Sequence, residues 1–112
     1  MNNTLSSQKC VPCEGGTKPL RPNEYEPYLT EIGHEWEPIE TIKIRKRFVF
    51  KDFKQALAFV NKVGEVAENE QHHPNICLYG WNKVKITLTT HAIDGLSVND
   101  FIVAAKINKI VA

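Results

Sequence analysis

The clearest pattern in the chain is two stretches of strict alternation. Between Ile42 and Phe50, residues Ile42, Ile44, Phe48 and Phe50 share one side, while Lys43, Arg45 and Arg47 share the other. Between Lys83 and Thr90, Val84, Ile86 and Leu88 oppose Lys83, Lys85 and Thr87. Period-two patterning with β-branched and aromatic residues predicts strands on a sheet with one covered and one wet face. Trp36–Glu40 and Ile76–Tyr79 read as shorter strands paired with these two. Helical spacing appears elsewhere. Tyr25, Tyr28, Leu29 and Ile32 form one stripe, opened by Pro22 and closed by Gly33. Phe53, Ala56, Leu57, Val60, Val63 and Ala67 form a second, with Asp52 as its N-cap. A third helix runs from Val98 to about Ile110, opened by the capping box Ser97-Val98-Asn99-Asp100. The order α-β-β-α-β-β-α predicts an α+β two-layer sandwich, a four-stranded antiparallel sheet with three helices on one face. Residues 1–19 show no hydrophobic period and read as a flexible lead-in to a single domain over 20–112.

Composition narrows the function classes. A net charge of +1 gives no global pull toward nucleic acid or a membrane surface. No apolar run approaches the length of a bilayer span, and the polar start, Met1 to Lys9, has no signal-peptide core. Three cysteines make an odd count that no disulfide framework uses, which points to a reducing, cytoplasmic setting. The basic strand faces match the solvated side of an antiparallel sheet, and without interleaved aromatics they do not suggest nucleic-acid binding. Cys10-Val11-Pro12-Cys13 is half of a metal or redox motif without a second half.

Histidines carry the candidate chemistry. His72 and His73 follow the long helix, and His91 follows the last strand. A hairpin turning at Gly80–Asn82 brings the entrance of one strand beside the exit of the next, so the pair faces His91. Imidazole suits proton transfer near neutral pH, which favours acid–base work. Adjacent histidines diverge on extended backbone, and no His-x-x-x-His spacing supports a metal site.

The string Glu68-x-x-x-His72-His73-Pro74, followed by Trp81, His91 and Asp100, resembles the signature of pterin-4a-carbinolamine dehydratases. Phe48-x-Phe50-x-Asp52-Phe53, Asn82-Lys83-Val84, Gly95-Leu96-Ser97 and the lead-in Cys10-x-x-Cys13-Glu14-Gly15-Gly16 are similar to bacterial members. Gln71 stands where several relatives carry an acidic residue. The resemblance implies dehydration of 4a-hydroxytetrahydrobiopterin to quinonoid dihydropterin without a cofactor, downstream of an aromatic amino acid hydroxylase. It implies a homodimer or homotetramer, with His72, His73 and His91 catalytic. Glu68, Thr89, Thr90, Asp100 and Trp36 would bind the substrate, Glu68 by the pterin edge unless it instead orients an imidazole, the threonines through backbone groups and Trp36 as a wall of the pocket. Two alternatives stand beside it. One is a protein-binding dimerisation or coactivator module using the exposed face of the last helix around Lys106 and Lys109. The other is a dehydratase acting on a different pterin.

Overall fold

The computed structural model describes residues 4–11 and 17–111. Three helices, α1 (Pro22–Ile32), α2 (Phe53–Glu70) and α3 (Val98–Ile110), cover one face of a sheet. Its strands are β1 (Glu37–Ile39), β2 (Lys43–Val49), β3 (Asn75–Tyr79) and β4 (Lys83–Leu88). All neighbours are antiparallel, in the order β1-β2-β4-β3. The element order and the two-layer α+β architecture are those the pattern predicts. Strand β1 is shorter than its expected range, and Trp36 and Glu40 lie outside it.

Register follows from the alternation. Ile44 pairs with Leu88 and Phe48 with Val84, while Ile76 and Leu78 pair with Ile86 and Val84 across the other side of β4. These residues bury the inward face under the helices. Lys43, Arg45, Arg47, Lys83 and Lys85 occupy the opposite face, because a strand turns successive side chains to opposite sides. Lys46 breaks the pattern, an inward lysine whose Nζ reaches Glu35 at 3.3 Å and Asn108 Oδ1 at 3.2 Å.

The lead-in corrects an expectation over residues 4–11. Leu5 is only 1% exposed, and its amide donates to Glu31 Oε2 at 2.8 Å. Burying that side chain contributes about 2 kcal/mol. Lys106 Nζ donates to Ser6 O at 2.9 Å, so the segment lies along α3. Helix α1 and helix α2 also pack on α3, which is therefore buried on nearly all sides from Asn99 to Ala105. The periodicity could not show this, because a helix covered all round carries no polar stripe. Lys106 is accordingly engaged with Ser6 and Glu70, so of the helix face expected around Lys106 and Lys109 only the Lys109 end is exposed. Cys13 and Glu14-Gly15-Gly16 of the lead-in motif lie outside the described residues.

Candidate functional site

Helix α2 ends in a way that aims the histidine pair. Gln71 adopts a left-handed conformation (φ 54°), its amide bonded to the carbonyls of Ala67 and Glu68. The amide of His72 then closes on Ala67 O at 3.2 Å, a helix-terminating pattern usually built on glycine. The Gln71 side chain donates to Glu68 O at 2.8 Å and supports a conformation unfavourable for a residue with a Cβ. Pro74 biases His73 toward extended backbone, and the chain enters β3 directly.

His91 is placed by a closed loop. Thr90 and Gly95 form an isolated antiparallel bridge, and a single 3₁₀ turn, His91–Ile93, fills the space between them. Gly95 is required there, since a Cβ would lie 2.6 Å from Pro19 Cβ. Asn75 pairs with Thr87, so the start of β3 lies beside the end of β4 and the two histidine sites share one rim.

The three histidines line a cleft of about 510 Å³ together with Asn69–Gln71, Thr89, Thr90, Ala92, Asn99 and the lead-in residues Lys9–Val11. His72 Nε2 lies 2.6 Å from Asp100 Oδ1, and His73 Nε2 lies 2.6 Å from Glu68 Oε2. An ionised carboxylate can only accept, so each ring donates through Nε2 and leaves Nδ1 for other partners. The ring of His91 makes no hydrogen bond among the described residues and is exposed.

Asp100 is fully buried, and its position in the first turn of α3 explains how that is tolerated. Oδ2 accepts from Thr90 Oγ1 at 2.8 Å and from the Ser97 amide at 3.0 Å, while Oδ1 accepts from His72. Each oxygen of the carboxylate is thereby satisfied away from water. The capping box and the histidine anchor are one arrangement, with one oxygen for each.

Besides Asp100, two more of the residues expected to touch a substrate do other work here. Trp36 does not wall the cleft. It is completely buried in the core, its ring edge-on to Phe48 and its Nε1 donating to Asn108 Oδ1 at 3.0 Å. A large ring beside a short strand is better buried under the helices than held at the rim. Thr90 lines the cleft, but its backbone N–H goes to Gly95 O and its carbonyl accepts from Ile93 and Gly95. Its backbone is spent on the loop and its hydroxyl on Asp100. Thr89 also lines the cleft, with its hydroxyl donating to Ile42 O at 2.6 Å.

A buried carboxylate, Glu70, was not anticipated. It lies at the end of α2, 8% exposed, accepting the Cys10 amide at 2.9 Å with Lys106 Nζ 3.6 Å away and Lys9 Nζ 4.0 Å away. Burial alone would raise its carboxyl, but the Cys10 amide and the two lysines outweigh that and hold it below its ordinary value. Burial, and then the charge of Glu70, push the Cys10 thiol up to about 12. In the sequence Glu70 looks like any acidic residue on a helix end, and its role depends on a segment sixty residues earlier.

Comparison with known proteins agrees with this geometry. Residues 18–110 match the family model described as pterin 4 alpha carbinolamine dehydratase. The chain belongs to that family. A provisionally named pterin-4-alpha-carbinolamine dehydratase of Alkaliphilus metalliredigens is 48% identical over 107 residues, covering 96% of each chain. A counterpart under the same provisional name in Rubrobacter xylanophilus is 44% identical, covering 95% of this chain and 97% of its own. Among solved structures, a transcriptional coactivator/pterin dehydratase from Brucella melitensis superposes with a TM-score of 0.77 at 30% identity. That match covers 85% of this chain and all of the other. A pterin dehydratase-like protein identified as a RuBisCO assembly factor in the alpha-carboxysome matches with a TM-score of 0.61 at 26% identity. It covers 72% of this chain and 94% of its own. Family and fold are thus established, and no described helix is long and apolar enough to cross a membrane.

Proposed function

We propose that the cleft dehydrates a pterin-4a-carbinolamine, 4a-hydroxytetrahydrobiopterin, to the quinonoid dihydropterin. The observation that carries this reading is the convergence of three imidazoles on one cleft, two of them held through Nε2 by carboxylates.

The reaction breaks the C4a–O bond and removes the proton on N5. The N5–H electron pair forms the new C4a=N5 double bond, and the hydroxyl leaves as water. Hydroxide is a poor leaving group, so protonation of that oxygen is the demanding part. His91, whose ring has no hydrogen-bond partner among the described residues, is assigned as the proton donor to the hydroxyl. His73 is assigned as the acceptor of the N5 proton, oriented by Glu68. His72 serves the hydroxyl from the other side through Nδ1, the only ring nitrogen that Asp100 leaves it. One imidazole gains a proton while another loses one, and exchange with water restores both. This chemistry needs proton donors and acceptors alone, so the reading calls for no cofactor. In the same reading an aromatic amino acid hydroxylase supplies the substrate, and the enzyme works in the cytoplasm as a homo-oligomer.

The test is carbinolamine dehydration by the wild type and His73→Ala. Loss of general acid–base catalysis predicts a fall in kcat of about 10²-fold or more, with an unchanged circular dichroism spectrum and melting temperature. Equal turnover by the two proteins would refute the assignment. Dialysis against a chelator is expected to leave kcat unaltered.

A further inference from the structure

The last turn of α2 and the first turn of α3 each do two things. Glu68 and Asp100 hold the histidine pair, while Glu70 and Asn99 hold the lead-in. Asn99 is 3% exposed and clasps Val11 on both sides of its peptide unit. Its Oδ1 accepts the Val11 amide at 3.1 Å, and its Nδ2 donates to Val11 O at 2.6 Å. Cys10 is fixed next to it, its amide on Glu70 and its thiol 3.6 Å from Asn99 O. A buried carboxylate and a buried amide are thus both committed to the backbone of two consecutive lead-in residues. Anchoring the segment on α3 does not require this, because Leu5 and the Lys106–Ser6 contact already do so. What the additional bonds set is where Lys9–Val11 runs along the cleft that holds the three histidines.

We propose that Lys9–Val11 is a strap forming a wall of the pterin-binding cleft, with Asn99 and Glu70 as the positioning residues that seat it. This rests on the pterin reading above. Lys9 brings a charge that sits 4.0 Å from Glu70, while Cys10 and Val11 make the rest of the wall neutral and largely apolar: a half-buried thiol shielded from ionisation, and the Val11 side chain, 61% exposed. Such a surface suits packing against a flat heterocycle or the aliphatic part of its side chain and contributes no proton transfer. Its effect belongs in binding, and the effect of the histidines belongs in the chemical step.

The experiment compares Asn99→Ala and Val11→Ala with the wild type in dehydration kinetics and in titration with 7,8-dihydrobiopterin, a pterin that cannot lose water. Releasing the clasp is expected to raise both KM and the dihydrobiopterin Kd about tenfold in Asn99→Ala, while kcat changes far less. Val11→Ala, a change at an exposed side chain that cannot unsettle the core, should raise both by about two- to threefold. Amide signals of Cys10 and Val11 should shift on adding the probe. If the wild type binds the probe and dehydrates normally but both variants keep its KM and Kd, the strap proposal is overturned and the dehydratase reading stands. Equal losses of kcat and affinity that track a lower melting temperature would also overturn it, since that marks a purely structural role. If the wild type binds the probe without turning over substrate, the Kd series decides the strap while the dehydratase reading fails. A wild type that neither binds nor dehydrates overturns both.

Discussion

His72 and His73 are neighbours in the chain, and each donates Nε2 to a carboxylate oxygen 2.6 Å away. The two contacts nevertheless differ in kind. The Asp100 side chain is fully buried and tied to Thr90 and Ser97, whereas the Glu68 side chain is 74% exposed and, among the described residues, its carboxylate meets His73 alone. In the interior an ion or hydrogen-bond partner cannot be replaced by water, so the Asp100 contact determines both ring position and local stability. At the surface water competes for both groups, and the Glu68 contact orients a ring without holding the fold together. Equal distances therefore carry unequal energies. Glu70 extends the contrast, because it shares the end of α2 with Glu68 but is buried under the lead-in.

The largest test of this contrast is Asp100→Ala. It removes a helix cap and leaves His72, Thr90 and the Ser97 amide without their shared acceptor, and it should cost about 3 kcal/mol in chemical denaturation. A loss no larger than that of an exposed substitution would mean the buried network is not what holds this corner. The next effect concerns pH and Glu70. Its folded-state carboxyl is held below its ordinary value, so its stabilising contribution is complete above the unfolded value of about 4.3 and is lost as the pH falls through the lower folded value. Wild type should then exceed Glu70→Gln by about 1 kcal/mol at neutral pH, with the gap closing under acid. Denaturation curves at several pH values check this, and a gap that widens in acid would contradict it.

Glu68→Gln should sharpen the exposed side of the comparison. It leaves the melting temperature essentially unchanged and lowers kcat by about three- to tenfold through looser orientation of His73. A large loss of stability instead would erase the distinction drawn between the two carboxylates. The smallest expected effect is at Cys10. With its thiol pushed up to about 12, peptide-resolved iodoacetamide labelling at pH 8 should find it nearly unmodified while the exposed Cys77 reacts. Equal labelling would show that the lead-in does not stay on Glu70.

Much of the architecture was legible because it depends on local periodicity. Alternation in 42–50 and 83–90 settled which residues face inward, and the Asp52 and Ser97 caps marked two helix starts correctly. The cleft was legible in part. His72, His73 and His91 could be brought together by reasoning from the β3–β4 hairpin, since antiparallel pairing fixes which strand ends meet. The Asp100–His72 contact was not readable that way: a capping residue and a histidine anchor have the same sequence signature, and only the position of α3 makes Asp100 both. Trp36 failed for a related reason. Its place beside a strand was clear, but whether the ring turned to the rim or to the core depended on Phe48 and Asn108, distant in the chain.

The sequence by itself determined the alternating strands, the helix boundaries and the strand ends at which the three histidines meet, because these depend on residues within a turn or a hairpin of one another. The tertiary structure alone decided that Asp100 holds His72 and that residues 4–11 pack onto α3. Those outcomes depend on burial and on contacts 26 to 100 residues apart, such as His72 with Asp100 and Ser6 with Lys106. Burial is a property of the assembled layers, and no local pattern encodes it.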